Sequence, residues 1–206
     1  MKIRFARPRL ALLPLAVLTL ASPALAADAY QFDKAHTSIG FQVRHIFTMV
    51  GGKFLDFSGT IQIDRAKPES STVELTIQAA SINTNEPKRD EHLKSPDFFD
   101  AAKYPTIAFK STSVKAAGNN VYQVTGDFTL RGVTKTITLP VTLVGEGKDP
   151  WGNEKAGFEL STTLNRQDYG MTWNKTLDQG GVLVGDEVKV QVSVEANKVK
   201  APAAGK

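Results

Sequence analysis

The chain has 206 residues, 22% of them charged and none of them cysteine. Without thiols there are no disulfides, no thiol catalysis and no cysteine-held zinc, so the fold must rest on burial and strand pairing. The net charge of +4 comes from Lys2, Arg4, Arg7 and Arg9; after Ala26 the chain carries 21 basic against 21 acidic residues. These are scattered with no basic stripe, which excludes nucleic acid as a partner.

The first 26 residues read as a targeting segment. A basic start is followed by the apolar run Leu10 to Leu20, broken by Pro14 and too short to span a bilayer, and then by Ala24-Leu25-Ala26. That is the pattern of a secretory signal peptide cleaved after Ala26, and it places the mature chain in a bacterial periplasm. Residues 27–197 suit one domain with a full core. Residues 198–206, small residues and lysines, read as a disordered tail.

Strand alternation begins at Tyr30 and Phe32. From Thr37 to Phe47, Ile39, Phe41, Val43 and His45 share one parity, and Ser38, Gln42 and Arg44 the other. Successive strand side chains point to opposite faces, so His45 falls on an apolar face. His36 has the opposite parity and points away. Gly51-Gly52 predicts the next turn, and Leu55, Phe57, Ile61 and Ile63 then run in phase, with Gly59 marking a bend. Val73, Leu75, Ile77 and Ala79 follow in the same manner.

From Ile82 to Pro105 the alternation stops. Polar helix formers and prolines predict short helices over Pro87–Leu93 and Pro96–Phe99, the second with Ser95 as N-cap. A long irregular connection in a regular β chain reads as a lid over a pocket.

Strands resume at Thr106. Val121–Leu130 and Val133–Val144 are joined by Arg131-Gly132 as a two-residue hairpin. That register pairs Leu130 with Val133, Gly126 with Ile137 and Tyr122 with Val141, so the two apolar faces coincide. It also sets Lys135 opposite Phe128. Ala156, Phe158, Leu160 and Leu164 mark another strand. Asn165–Asp186 is a second irregular stretch, and Val188, Val190, Val192 and Val194 form a last, cleanly amphipathic strand.

About eight one-sided strands must bury one face each, and closing the sheet on itself does so without leaving edges. The fold class is therefore all-β: an extended eight-stranded antiparallel β-barrel with a short helical insert. A solid sandwich satisfies the same periodicity, but inward glycines (Gly59, Gly126) and the capping insert point to a hollow barrel. Eight strands make a tube wide enough for one small ligand.

The catalytic inventory is poor. There is no G-x-S-x-G, phosphate loop or H-E-x-x-H. His36, His45 and His92 share no ligand spacing on one element, so no metal site and no cofactor are expected. Arg89-Asp90-x-His92 is the best polar constellation. It serves either as a cluster pinning the insert to the rim or as a contact for a ligand's polar end.

The segments HTSIGFQVRHIF, GGKFLDFSGTIQID, RDEHLKSPDFFDAAKYPTIAFKST, VTGDFTLRGVTKTITLPV and RQDYGM, in that order, resemble the YceI-like family. The resemblance implies a lipocalin-like periplasmic barrel that binds a polyisoprenoid or similar long amphiphile, although the lipocalin G-x-W signature is missing. On that reading the apolar wall is Ile39, Phe41, Val43, Phe57, Phe109, Phe128, Ile137, Leu139 and Phe158. The polar mouth is His45, Arg89, Asp90 and His92. The function it implies is non-enzymatic storage or transport of a quinone or polyprenyl lipid. The alternatives are an enzyme acting on such lipids, using His45 with Asp90, and a stress-related scaffold with a solid core. Transient contact with a membrane surface and a homodimer are both left open.

Overall fold

Eight lengths of antiparallel strand close into a barrel in residues 27–178 and 180–200, which the computed structural model describes. The expected signal peptide and the last six residues lie outside the described residues. The strands are β1 (Asp28–Phe32), β2 (Ser38–His45), β3 (Thr48–Phe54), β4 (Phe57–Ile63), β5 (Thr72–Gln78), β6 (Ile82–Asn83), β7 (Thr106–Gly118), β8 (Val121–Leu130), β9 (Val133–Lys148), β10 (Glu154–Asn165) and β11 (Val184–Lys198). The closed ring runs β1–β4–β5–β7–β8–β9–β10–β11 and back to β1. β2, β3 and β6 prolong β1, β4 and β5 toward the end that carries the inserts, here called the upper end.

These prolongations are joined by kinks, each satisfied locally. Between β1 and β2 the Thr37 hydroxyl donates to the Glu195 carbonyl and accepts from the Glu195 amide, standing in for backbone. Between β3 and β4 the Leu55 amide bonds the Ser81 carbonyl and the Asp56 carbonyl accepts from Gln78. The kink also flips the phase. Phe54 and Phe57 are buried while Leu55 is 55% exposed, contrary to the in-phase reading of Leu55.

The first turn is not at Gly51-Gly52. His45 pairs with Thr48 across a tight turn at Ile46-Phe47, with Ile46 in the left-handed region (φ 49°). Both glycines lie inside β3. Gly52 is required there because a Cβ would sit 2.5 Å from the Phe41 ring and 2.8 Å from the Thr84 methyl. Nor do Gly59 and Gly126 leave empty space. The Phe32 ring fills the volume beside Gly59, and the Lys110 carbonyl and Phe109 ring fill that beside Gly126.

The β8–β9 hairpin has the expected register throughout, from Leu130↔Val133 to Tyr122↔Val141. Arg131 (φ 50°) and Gly132 (φ 74°) form its turn. In the insert, α1 spans Pro87–Lys94, with Glu86 accepting from the Lys88 amide at its start. Pro96–Phe99 is turn rather than a second helix, because Phe99 and Asp100 bond back to the Leu93 and Ser95 carbonyls and close the chain on itself. β11 continues to Lys198, whose amine pairs with Asp28 and Glu154, so the barrel takes in a residue assigned above to the tail.

Candidate functional site

The inward faces enclose a cavity of about 930 Å³, the upper end of the volume range of ligand pockets. Its walls explain an otherwise odd burial pattern. Val188, Val190 and Val192 of β11 and Ile137 and Leu139 of β9 have inward parity, yet all are only half-buried. Side chains in a filled core would be sealed by their neighbours. Here they face a void, so the barrel is hollow rather than a packed sandwich. Packed core is confined to clusters around it, the largest formed by Ile39, Phe54, Phe57, Ile77, Ile82 and Tyr169 with their neighbours.

Of the residues expected in the wall, Ile39, Phe41, Val43, Phe109, Phe128, Ile137, Leu139 and Phe158 border the cavity. Phe57 does not. It keeps the inward parity of Ile61 and Ile63, but it is sealed in the packed core cluster beneath the wall.

Of the expected polar mouth, His45, Arg89 and His92 border the cavity and Asp90 does not. The organising residue is Thr84, which the sequence did not single out. Its amide and hydroxyl donate to the Asp90 carboxylate at 2.8 and 2.6 Å. Arg89 donates to the Thr84 hydroxyl at 2.7 Å and to its carbonyl at 2.9 Å. Asp90 is thus buried as the insert's anchor, and Arg89 is held at the cavity edge through Thr84. His92 pairs with Asp97 at 2.9 Å rather than with Asp90, and its ring packs edge-on against Phe98 and Trp173. His45 comes from the end of β2. Among the described residues its ring has no hydrogen-bond partner, and it borders the cavity. His36 lies far away, paired with Asp33 at 3.0 Å.

Asp33, His36 and Glu195 could in outline gather a metal ion. The Lys155 amine already donates to both carboxylates there. The cluster therefore functions as an ion-pair network.

The second irregular stretch closes over the upper end through two arginines. Arg166, 3% exposed, donates to the carbonyls of Gly185, Met171 and Trp173 and to the Asp186 carboxylate. Arg131, at the hairpin turn, donates to the carbonyls of Gly170 and Pro96 and so ties this stretch to the first insert. Tyr169, 2% exposed, packs edge-on against Phe128, and burial pushes its hydroxyl pKa up. Tyr169, Met171 and Trp173 lie in the irregular stretch Asn165–Asp186, where no strand alternation marks which side chains turn inward. The lone signal for Arg166 was its place at the head of RQDYGM.

At the lower end the floor is polar. Arg65 makes a two-pronged ion pair with Glu146 at 2.7 and 2.8 Å, and donates to Asp28 and the Tyr30 hydroxyl. Arg65 follows β4 and Glu146 lies on β9, four strands away around the eight-stranded ring. The pair therefore spans the barrel.

The molecule is thus a closed eight-stranded antiparallel β-barrel around a long apolar cavity with polar ends. The chain belongs to the YceI-like family, whose domain matches residues 30–196. It is 41% identical over 186 residues to a UPF0312 protein of Pseudomonas putida, covering 89% of this chain and 93% of that one. A crystal structure of the Campylobacter jejuni YceI protein shares 36% identity with a TM-score of 0.66, covering 82% of this chain and 96% of the other. A domain from Saccharophagus degradans described as polyisoprenoid-binding superposes with a TM-score of 0.61 at 14% identity, covering 84% of this chain and 99% of that one. That last likeness is one of fold.

Proposed function

We propose that the protein is a non-enzymatic carrier or reservoir for a long-chain isoprenoid lipid, acting in the periplasm. The observation that carries this reading is the hollow, almost wholly apolar interior, with inward valines, leucines and phenylalanines left half-buried along its length. Burying hydrocarbon there contributes about 0.8 kcal/mol per CH₂, so a long tail binds with few polar contacts. The polyisoprenoid named for the Saccharophagus degradans domain is a ligand of this shape. The His45 ring and the Arg89 guanidinium at the upper edge suit the lipid's polar end. A soft, neutral head such as a quinone needs no more than one hydrogen bond from either.

The reading is tested by titrating the purified protein with polyprenols and isoprenoid quinones of increasing tail length. Affinity should rise with each added isoprene unit until the cavity is filled, and Val190→Asp, which places a charge in the wall, should abolish binding while the circular dichroism spectrum is retained. Equal affinity for short and long tails would contradict it.

A further inference from the structure

The barrel wall is not paired along its whole length. β9 and β10 pair from Glu154↔Lys148 up to Leu160↔Val141, and there the ladder ends. β9 continues from Pro140 back to Val133 bonded only to β8, and β10 continues from Ser161 to Asn165 bonded only to β11. Pro140 sits at the point of parting. The Leu143 amide bonds Asn120 on the β8 side, so by alternation the nitrogen of Pro140 faces β10, where it has no hydrogen to donate. The cavity lies directly behind this seam, since Ile137 and Leu139 on one side and Thr162 and Leu164 on the other all border it. Glu159, outward by parity and next to the last pair, borders it too.

The rims have a distinctive chemistry. Exposed strand edges are usually protected by charge, lysine above all. Here the outward positions are Thr134, Thr136, Thr138 and Pro140 on β9, and Ser161, Thr163 and Asn165 on β10. None is charged, so hydrocarbon passing between them displaces no ion's hydration shell. At the top the seam is bridged by side chains alone. Lys135 pairs with Asp168 at 3.1 Å and lies over the Tyr169 ring. From Lys135 to Val141 the opening is roughly 20 Å long, at about 3.3 Å per strand residue.

We propose that the ligand's tail enters and leaves the barrel sideways, through the seam between β9 and β10, with the Lys135–Asp168 pair as its latch. This rests on the function proposed above. Parting any fully paired neighbours would strip backbone donors and acceptors of their partners. Parting this seam breaks no backbone ladder: it costs the half-exposed Lys135–Asp168 pair, an interaction worth little in water, and at its very top the Arg131 bond to the Gly170 carbonyl.

Loading is followed with an isoprenoid quinone by stopped-flow quenching of Trp173, which borders the cavity, in a Trp151→Phe background. Lys135→Glu sets two acids against each other. It should raise both the loading and the release rate about three- to fivefold while Kd stays within about twofold, and Lys135→Glu with Asp168→Lys should restore both rates. The chain has no cysteine, so Thr138→Cys with Thr163→Cys, which the ladder's register would place opposite each other, can be joined by a bifunctional thiol reagent without side reactions. Joining them should slow loading by on the order of tenfold. A joined protein that loads at the rate of the unjoined one overturns the proposal and places the route at the upper mouth, as do charge variants that leave both rates at the wild-type values or change only one of them and with it Kd. If the wild-type protein binds no quinone or polyprenol at equilibrium, the proposed function itself fails, a result distinct from either kinetic outcome.

Discussion

The two ends of the barrel are held by cations used in different ways. At the lower end, where β1 closes the ring on β11, cations meet carboxylates: Arg65 with Glu146 and Asp28, Lys155 with Asp33 and Glu195, Lys198 with Asp28 and Glu154. At the upper end, arginines meet mainly backbone and hydroxyl oxygens. Arg166 and Arg131 bond loop carbonyls, and Arg89 bonds Thr84. The reason lies in the strands. Below, ladders satisfy the backbone and side chains need only pair with one another. Above, two irregular segments replace strand pairing, and their carbonyls require donors that a planar, five-donor guanidinium can reach together. The regular end closes the tube, and the irregular end gives it a lid and a seam.

The sharpest break in this comparison is Arg166→Ala. Removing a buried cation from the three carbonyls and the carboxylate it bonds should cost about 3 kcal/mol or more in chemical denaturation, with amide exchange rising first over residues 171–186. Asp90→Ala unpins the first insert from Thr84. It should cost about 2 kcal/mol and loosen α1, the helix of residues 87–94, while the lower strands keep their protection.

Acid should act on the other end. The His36 and Lys155 hydrogen bonds hold the Asp33 carboxyl well below the usual carboxylate range despite its partial burial, and Lys198 and Arg65 lower that of Asp28. A depressed folded-state pKa adds stability above the ordinary value of 3.8, and that stability is lost as pH falls through the depressed one. As pH falls below the ordinary carboxylate value of 3.8 toward the depressed ones, amide protection should therefore drop at residues 28–33 and 194–198 before it drops in the β8–β9 hairpin. Equal loss in both would remove the distinction. The smallest effect is expected from Glu146→Gln: Arg65 is half-exposed, so breaking the floor pair should cost about 1 kcal/mol or less, and less still in high salt.

What the sequence made legible follows the same division. The β8–β9 register could be read in full because a period of two meets a turn whose residues, Arg131 and Gly132, fix the loop length. The one-sided strands, and from them a closed eight-stranded barrel, followed from parity, while the choice of wall residues leaned on the family resemblance. Parity fails where the chain kinks. Leu55 was misplaced because the kink between β3 and β4 shifts phase without a compositional mark, and Phe57 because packing, not parity, decides which inward residues reach the cavity; the turn at Ile46-Phe47 has neither glycine nor asparagine to announce it. Glycine misled in the other direction, for Gly52 and Gly126 make room for a ring or a carbonyl rather than for a turn or a ligand. The Thr84 anchor was illegible because it depends on how the chain turns between Thr84 and α1, and the bonds of Arg166 because they depend on loop carbonyls brought together by folding. The seam was hidden as well, since β9 and β10 alternate faultlessly on either side of it and Pro140 is its single mark.

The proposed state of the protein in its host is a hollow barrel filled by an isoprenoid tail. It is tested most directly by mass spectrometry of the organic extract of the protein purified from its native host. A near-stoichiometric isoprenoid lipid is expected in the wild type and should be missing from folded Val190→Asp. A wild-type protein that carries no lipid and takes up none from added quinones or polyprenols would contradict it.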